Sequence, residues 1–437
     1  MVTAARWQRP PQPERREPDS SIRPARIAQG DLLPICIAVY IATAMGRIHE
    51  LFPVLLPLKP ALVSGVLAIG LYVLDRSRRR AASQLRSATT TCLLGLLVWS
   101  ALSVPGALNQ RLAFESWTAF VQSGIMCLVI AGSVRRVADV ERLILVYFGV
   151  TVVYTAVVLS RFQQGPESWR LGRLYYYDAN DLATMIAMAM PLGLYFVLAQ
   201  RRPLERVLAG AGVAVLAVGL IHSGSRGGFL AFLAVCAFVL VRLTTIPARA
   251  RLTGLVVILA VVFGAASDQY WSQMQTIVRP RGDYNLTSDE GRVQIWKRGI
   301  GYMSDNPVFG VGVRNFQVAE GTISPQARLQ ERGIGVRWGA AHNTYIQAGA
   351  ELGIPGLLLF FGVLGSAFAS LRRAARQALR MSPAGKDMSR LAQTLMAALV
   401  GFVVGAFFLS LAYTDMLYML VALAMGLAKT ARMDAAR

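Results

Sequence analysis

Residues 207–241 read VLAGAGVAVLAVGLIHSGSRGGFLAFLAVCAFVLV, two apolar runs joined by the polar turn His222-Ser223-Gly224-Ser225-Arg226-Gly227-Gly228. Neither run alternates between apolar and polar residues, as the strands of a membrane barrel would. Each is close to the roughly 20 residues that a helix needs to cross a bilayer core. Within lipid every backbone amide has to find its partner inside the chain, so such runs must be helical. The stretch is therefore expected to be a helical hairpin whose turn lies at one membrane face.

The same pattern continues in both directions. Apolar segments fall at about 32–48, 58–75, 90–107, 116–133, 143–160, 181–199, 207–222, 226–241, 252–267, 344–370, 391–410 and 412–429. Pro53, Pro57 and Pro60 separate the first two, so that hairpin can dip into the membrane rather than cross it. Composition agrees, with 54% of the 437 residues hydrophobic and only 16% charged, far from the usage of a water-soluble domain. The expected fold is an all-α polytopic membrane protein with about 12 transmembrane helices and one large, mostly helical periplasmic loop. Its divisions are a disordered basic tail at 1–30, helices one to nine over 31–267, the loop domain at 268–343, helices ten to twelve over 344–429, and a short tail at 430–437.

Charge orients these helices, because loops rich in Lys and Arg stay on the cytoplasmic side. With a cytoplasmic N-terminus, the termini and inside loops hold 29 Lys+Arg against 10 acids, and the rest of the chain holds 16 against 14. Nearly all of the formal net charge of +21 is thus a topology signal, and no nucleic-acid partner is expected from it. Both termini are expected in the cytoplasm of a bacterial inner membrane, with membrane lipid around the bundle. Cys36, Cys92, Cys127 and Cys236 all lie in apolar segments, so no disulfide framework is implied. The N-terminal thirty residues lack the apolar core of a cleaved signal peptide.

Three connectors on the opposite side stand out. They are residues 161–180, the turn 222–228, and the long stretch from about Asp268 to His342. A loop that long is usually functional or disordered; Trp296, Phe309, Phe316 and Trp338 mark this one as folded. Against the positive-inside trend it carries Arg279, Arg281, Arg292, Arg298, Arg314, Arg328, Arg332 and Arg337. A guanidinium grips phosphate or carboxylate bidentately, although any single Arg here can equally be part of a solvated surface. Arg226 opens a helix beside the membrane, where a cation costs up to about 2.5–3.5 kcal/mol at full depth. It either meets an anion or snorkels to the headgroups. His342, at the junction of loop and membrane, is a candidate base for an attacking hydroxyl or a structural residue. Asn343 after it, and the pair Asn180-Asp181, are candidate helix caps. No cluster has metal-ligand spacing, no cofactor is called for, and paired carboxylates for glycoside hydrolysis are not evident. Asp415, near the start of the last helix, is expected at the interface.

Taken in order, these residues resemble the O-antigen ligase and polymerase superfamily of bacterial surface-glycan enzymes. Ser223-Gly224-Ser225-Arg226-Gly227-Gly228 is similar to the family's Ser-x-Ser-Arg-Gly-Gly turn. Gly291-Arg292, followed by Trp296 and Asn306-Pro307-Phe309-Gly310-Val311-Gly312-Asn315-Phe316, resembles the start of its large loop. His342-Asn343 followed nine residues later by Gly353-Ile354-Pro355-Gly356 resembles the loop's closing motif, and Asp178-Ala179-Asn180-Asp181 a further family feature. The resemblance implies a metal-independent glycosyltransferase of the membrane-embedded C type, acting on the periplasmic face. Its donor would be a glycan on undecaprenyl pyrophosphate, and its acceptor a lipid A-core sugar in ligases or another carrier-linked glycan in polymerases. By this resemblance Arg226 and Arg292 meet the pyrophosphate and His342 positions or deprotonates the acceptor. Ser225, Asn343, Arg173, Arg298, Arg314 and Arg337 are the further substrate-binding candidates. Where ligases carry Leu four residues after the basic loop residue, this chain has Trp296. A transporter of a lipid-linked or anionic substrate is the rival class; it should carry charges within its helices near the midplane, whereas here they lie in the connectors. A non-catalytic scaffold of a polysaccharide-export complex is the third.

Overall fold

The structure, a computed structural model, describes residues 31–75, 85–161, 169–171, 177–199, 202–279, 285, 288, 291–336, 338–381 and 385–435. The chain divides into Met1–Asp31 and Leu32–Arg437. The expected basic tail, 1–30, lies outside the described residues; the helical bundle is the second unit.

Helices occupy every expected apolar segment. They are α1 (Leu33–Tyr40, continued by a π-helical turn Ile41–Met45), α2 (Pro60–Leu74), α3 (Ala88–Leu102), α4 (Gln110–Ser133), α5 (Val137–Arg161), α6 (Ala179–Ala199), α7 (Pro203–Ser223), α8 (Arg226–Arg242) and α9 (Ala248–Ala265). The long loop supplies α10 (Asp268–Gln275), α11 (Arg292–Asp305) and α12 (Phe316–Thr322), and α13 (Thr344–Met381), α14 (Gly385–Ala406) and α15 (Asp415–Ala435) complete the bundle. Among the described residues, nine helical spans are long and apolar enough to cross a membrane. The chain is an all-α, multi-pass membrane protein. Local chemistry sets the helix starts. Ser87, Asn109 and Ser267 accept from Thr90 N, Leu112 N and Tyr270 N and so cap α3, α4 and α10, while Pro60 and Pro203 open α2 and α7, where a missing N–H leaves nothing unpaired. The last helix runs past the expected end at 429 through Ala435, because Lys429 is buried with its Nζ on Gly132 O at 2.8 Å and belongs to the bundle, not to a tail.

The centre of the bundle is α6, α14 and α15, and small residues make that possible. In lipid, helix association relies on close packing, which small side chains permit. A Cβ on Gly405 of α14 would lie 2.5 Å from Thr184 of α6. By contrast, only 6% of the apolar window of α9 is buried; one face, with Ile258, Leu259 and Val262, packs on the bundle and much of the rest is exposed.

The loop is bound to the bundle through a break in α13. Gly353 has φ 69° and ψ −173°, backbone that only Gly adopts freely. Pro355 has no N–H to donate to Glu351 O, and Ile354 N turns to Pro307 O at 2.8 Å. The carbonyls left over are taken by the loop: Val311 N donates to Ala350 O (2.8 Å), Gly312 N to Glu351 O (3.1 Å), and Trp99 Nε1 of α3 to Leu352 O (2.9 Å). Phe309 stacks on Trp99 at 4.9 Å. Thus the Asn-Pro-x-Phe-Gly-Val-Gly and Gly-Ile-Pro-Gly segments are each other's hydrogen-bond partners. Glu351, fully buried, completes the lock by accepting from Arg314 N (3.0 Å) and Phe316 N (3.2 Å). On the other side, Asn109 N donates to Asn315 Oδ1 at 2.7 Å, and Leu108 N to Val311 O at 3.1 Å.

Gly353→Ala is expected to destabilise the protein by at least about 1–3 kcal/mol from backbone strain alone. The new Cβ would also stand 2.3 Å from Val308 O. Thermal unfolding of purified protein checks this; a midpoint equal to wild type would show that the break is not held by this lock.

Candidate functional site

The turn between α7 and α8 is built by its small residues. Gly224 ends α7 with φ 57°, and a Cβ there would run into Trp169 at 2.8 Å and Arg170 at 2.9 Å. Ser225 Oγ accepts from Gly228 N at 3.1 Å and so caps α8; the hydroxyl expected to touch substrate is engaged in the cap. Arg226 then occupies the first position of α8, half-buried, and its Nη1 donates to Thr276 Oγ1 at 2.8 Å, just beyond α10.

The preceding connector is stitched to this turn by Arg170, which no sequence motif marks. Its Nε donates to Ser223 O at 2.7 Å and its Nη2 to Asn180 Oδ1 at 3.0 Å, while Leu171 N donates to His222 O at 2.8 Å. Burial pulls the Arg170 pKa down, opposed by the charge of Asp178 and reinforced by that of Arg226. The cap of α6 also starts earlier than Asn180-Asp181. Asp178 Oδ1 accepts from Asn180 N (2.7 Å) and Asp181 N (2.8 Å), and Asp181 in turn accepts from Asp178 N at 3.2 Å. This is a capping box, with the acid at the cap and another three residues on. Arg173 lies outside the described residues.

In the loop, half-buried Arg292 takes the first position of α11. One turn later Trp296 Nε1 donates to Ala341 O at 3.0 Å, which ties α11 to the residue before His342. Arg298, on the same helix, grips Glu320 with Nε at 2.9 and 3.1 Å and Nη2 at 2.6 Å, and Tyr302 donates to the same carboxylate at 2.8 Å. The hydrogen bond to Glu320 holds the Arg298 pKa up against burial, and burial raises that of Tyr302. This buried pair sits in a small apolar core of Ile295, Tyr302, Val311, Phe316, Ala319, Ala341 and Ala350, so Arg298 joins α11 to α12. Arg314 is exposed with φ 63° and is fastened through its backbone N–H to Glu351. Arg337 lies outside the described residues.

His342 has φ 47°, left-handed backbone for a residue with a Cβ, an arrangement that persists only where surrounding structure over-determines it. Here its N–H donates to Ser410 Oγ at 2.9 Å. Asn343 Oδ1 caps α13 by accepting from Tyr345 N (2.9 Å) and Ile346 N (3.1 Å). Thr344 Oγ1 donates to Leu409 O and accepts from Leu411 N, at 2.7 and 2.9 Å.

All three signatures therefore meet one segment, residues 407–414 between α14 and α15, in which the sequence shows no motif. Gly227, next to Arg226, lies against Phe408, where a Cβ would come within 2.9 Å. Trp296 meets Phe407 edge-on at 5.3 Å, and His342 is held by Ser410. Asp415, at the start of α15, is half-buried and accepts from Ser123 of α4 at 2.6 Å. Among the described residues no group of three or more His, Cys, Asp or Glu could hold a metal ion.

A multi-pass helical bundle with a helical loop locked over three helix starts defines a class of membrane protein. Residues 211–361, from within α7 through the loop into α13, match the family described as O-Antigen ligase. The chain is also 27% identical over 257 residues to the Exopolysaccharide production protein ExoQ of Rhizobium meliloti (strain 1021), covering 56% of this chain. The match spans about 57% of the length of that relative. Residues 211–361 thus form a region similar to the O-antigen ligase family.

Proposed function

We propose that this protein transfers a glycan from undecaprenyl pyrophosphate to an acceptor hydroxyl, with Arg226 and Arg292 on the diphosphate and His342 at the acceptor. The observation that carries the reading is that three signatures, all within the stretch that matches the O-Antigen ligase family, converge on one connector beyond it. Arg226 and Arg292 each occupy the first position of a helix, where the macrodipole disfavours a cation and favours an anion. A bound diphosphate satisfies dipole and guanidinium together. In the reaction the acceptor oxygen attacks the anomeric carbon, its proton passes to the His342 imidazole, and the bond to the diphosphate oxygen breaks with its electron pair. Charge growing on that oxygen is met by fixed cations, each charged hydrogen bond contributing about 1.5–3 kcal/mol. Arg298, held by Glu320, supports this arrangement, while Arg314, fastened through its backbone N–H, keeps its exposed guanidinium as a further candidate for the substrate. The site faces the periplasm across the inner membrane with both termini cytoplasmic, as the distribution of Lys and Arg supports.

Ligation onto a lipid A-core sugar is the first form of this reaction. Extension of exopolysaccharide repeat units is the second, favoured by the likeness to an exopolysaccharide production protein. A strain lacking the protein separates them. Ligation leaves the core lipid without glycan, polymerisation leaves products carrying a single repeat, and both accumulate carrier-linked material. Glycan of normal amount and length in that strain overturns both.

A further inference from the structure

We propose that Arg170 is a further guanidinium ligand for the diphosphate, a third beside Arg226 and Arg292, clamped next to Arg226 by the turn that presents both. The inference rests on the transfer reading above and adds a residue that neither the motifs nor the family likeness marked. Arg170 does not lie loosely on a surface. Two edges of its fork are occupied, Nε by Ser223 O at 2.7 Å and Nη2 by Asn180 Oδ1 at 3.0 Å. Its aliphatic stem is laid along Gly224, where any side chain would strike Cδ at 2.9 Å and Cγ at 3.0 Å. The neighbouring Leu171 N–H is bound to His222 O, so the backbone is fixed as well. Arg170 is thereby held at the head of α6 and against the same α7–α8 turn from which Arg226 projects.

Arg170 and Arg226 both lie half-buried at this turn, and two cations so placed favour an anion between them. The acid that acts on Arg170 is Asp178, and its Oδ1 already caps α6. The hydrogen bonds to Ser223 and Asn180 fix the guanidinium plane and leave its Nη1 edge uncommitted among the described residues. A preorganised fork with one edge to offer loses little rotamer freedom on gripping phosphate. A diphosphate presents two phosphoryl groups with several acceptor oxygens, enough for Arg170 to join Arg226 and Arg292 on it.

The test is a titration of the full-length protein in lipid nanodiscs with inorganic pyrophosphate, with inorganic phosphate as the comparison. Wild type is expected to bind pyrophosphate the more tightly. Arg170→Gln and Arg226→Gln should each weaken that binding about ten-fold or more, and Arg170→Lys by less, since an ammonium cannot fill the fork. Thermal unfolding separates ligand from scaffold. A merely structural Arg170 lowers the midpoint without pyrophosphate but leaves the rise on adding it unchanged, an outcome that overturns the inference. If Arg170→Gln does not accumulate folded, Arg170→Lys carries the test, and affinity equal to wild type there also overturns it. Normal binding by both Arg170 variants with weakened Arg226→Gln sinks the inference and spares the transfer reading. Absence of pyrophosphate binding in wild type sinks both.

Discussion

His342→Asn is expected to slow glycan transfer by about 10²- to 10⁴-fold, the range for loss of a positioned general base, with little change in donor binding. The choice of Asn matters. His342 has φ 47°, and Asn tolerates left-handed backbone better than most residues. Its N–H can still donate to Ser410 Oγ as His342 does at 2.9 Å, so the substitution removes the imidazole and leaves the connector in place. His342→Ala confounds the two effects, because Ala is less at ease in that conformation. Transfer from a radiolabelled carrier-linked donor, measured in membranes of matched protein content, gives the rate. A His342→Asn rate within a few-fold of wild type would remove His342 from the chemistry. Parallel loss of rate and of protein abundance would mark the residue as structural.

Glu320→Ala should destabilise the loop domain by about 3–5 kcal/mol, the usual result of stripping one partner from a buried ion pair. The side chains of Arg298 and Glu320 are 13% and 2% exposed, and Tyr302 depends on the same carboxylate. Deleting it leaves a guanidinium and a phenol without their acceptor inside an apolar core. Replacing both partners, as Arg298→Met with Glu320→Leu, should cost far less, because apolar residues of similar volume substitute well for buried pairs. Hydrogen exchange across residues 291–336 of the full-length protein reports the difference. A double variant as labile as the single one would mean that the pair, rather than the stranded charge, sustains the loop. Transfer should fall with the single variant although neither residue is assigned to substrate, since α11 also carries Arg292 and the Trp296 that reaches Ala341.

The apolar segments were legible because lipid leaves the backbone one solution, but their starts were set by local caps, Ser87 before Ala88 and Asn109 before Gln110, which apolar length does not reveal. The Ser-Arg-Gly-Gly turn, the Gly291-Arg292 start and His342-Asn343 were legible as motifs, and so was the capping task of Asn343, but not that of Ser225. Ser225 and Asn343 satisfy helix starts, and the glycines and proline after Glu351 open a helix for the loop to lock into. Trp296, in the sequence only a departure from the ligase pattern, ties α11 to the residue before His342.

What the chain alone determined is the class of protein: hydrophobic length forces helices, through local and additive terms. Which residues stand together was decided by tertiary structure. Of that connector the sequence put forward Arg173 and left Arg170 unmarked, and nothing in Phe407-Phe408-Leu409-Ser410 announces a meeting point. Their roles arise from a hydroxyl, a ring or a carbonyl that comes into reach only after helices far apart in sequence pack, as Ser410 and His342 do. A residue's type records what bonds it can make; the fold alone supplies the partner.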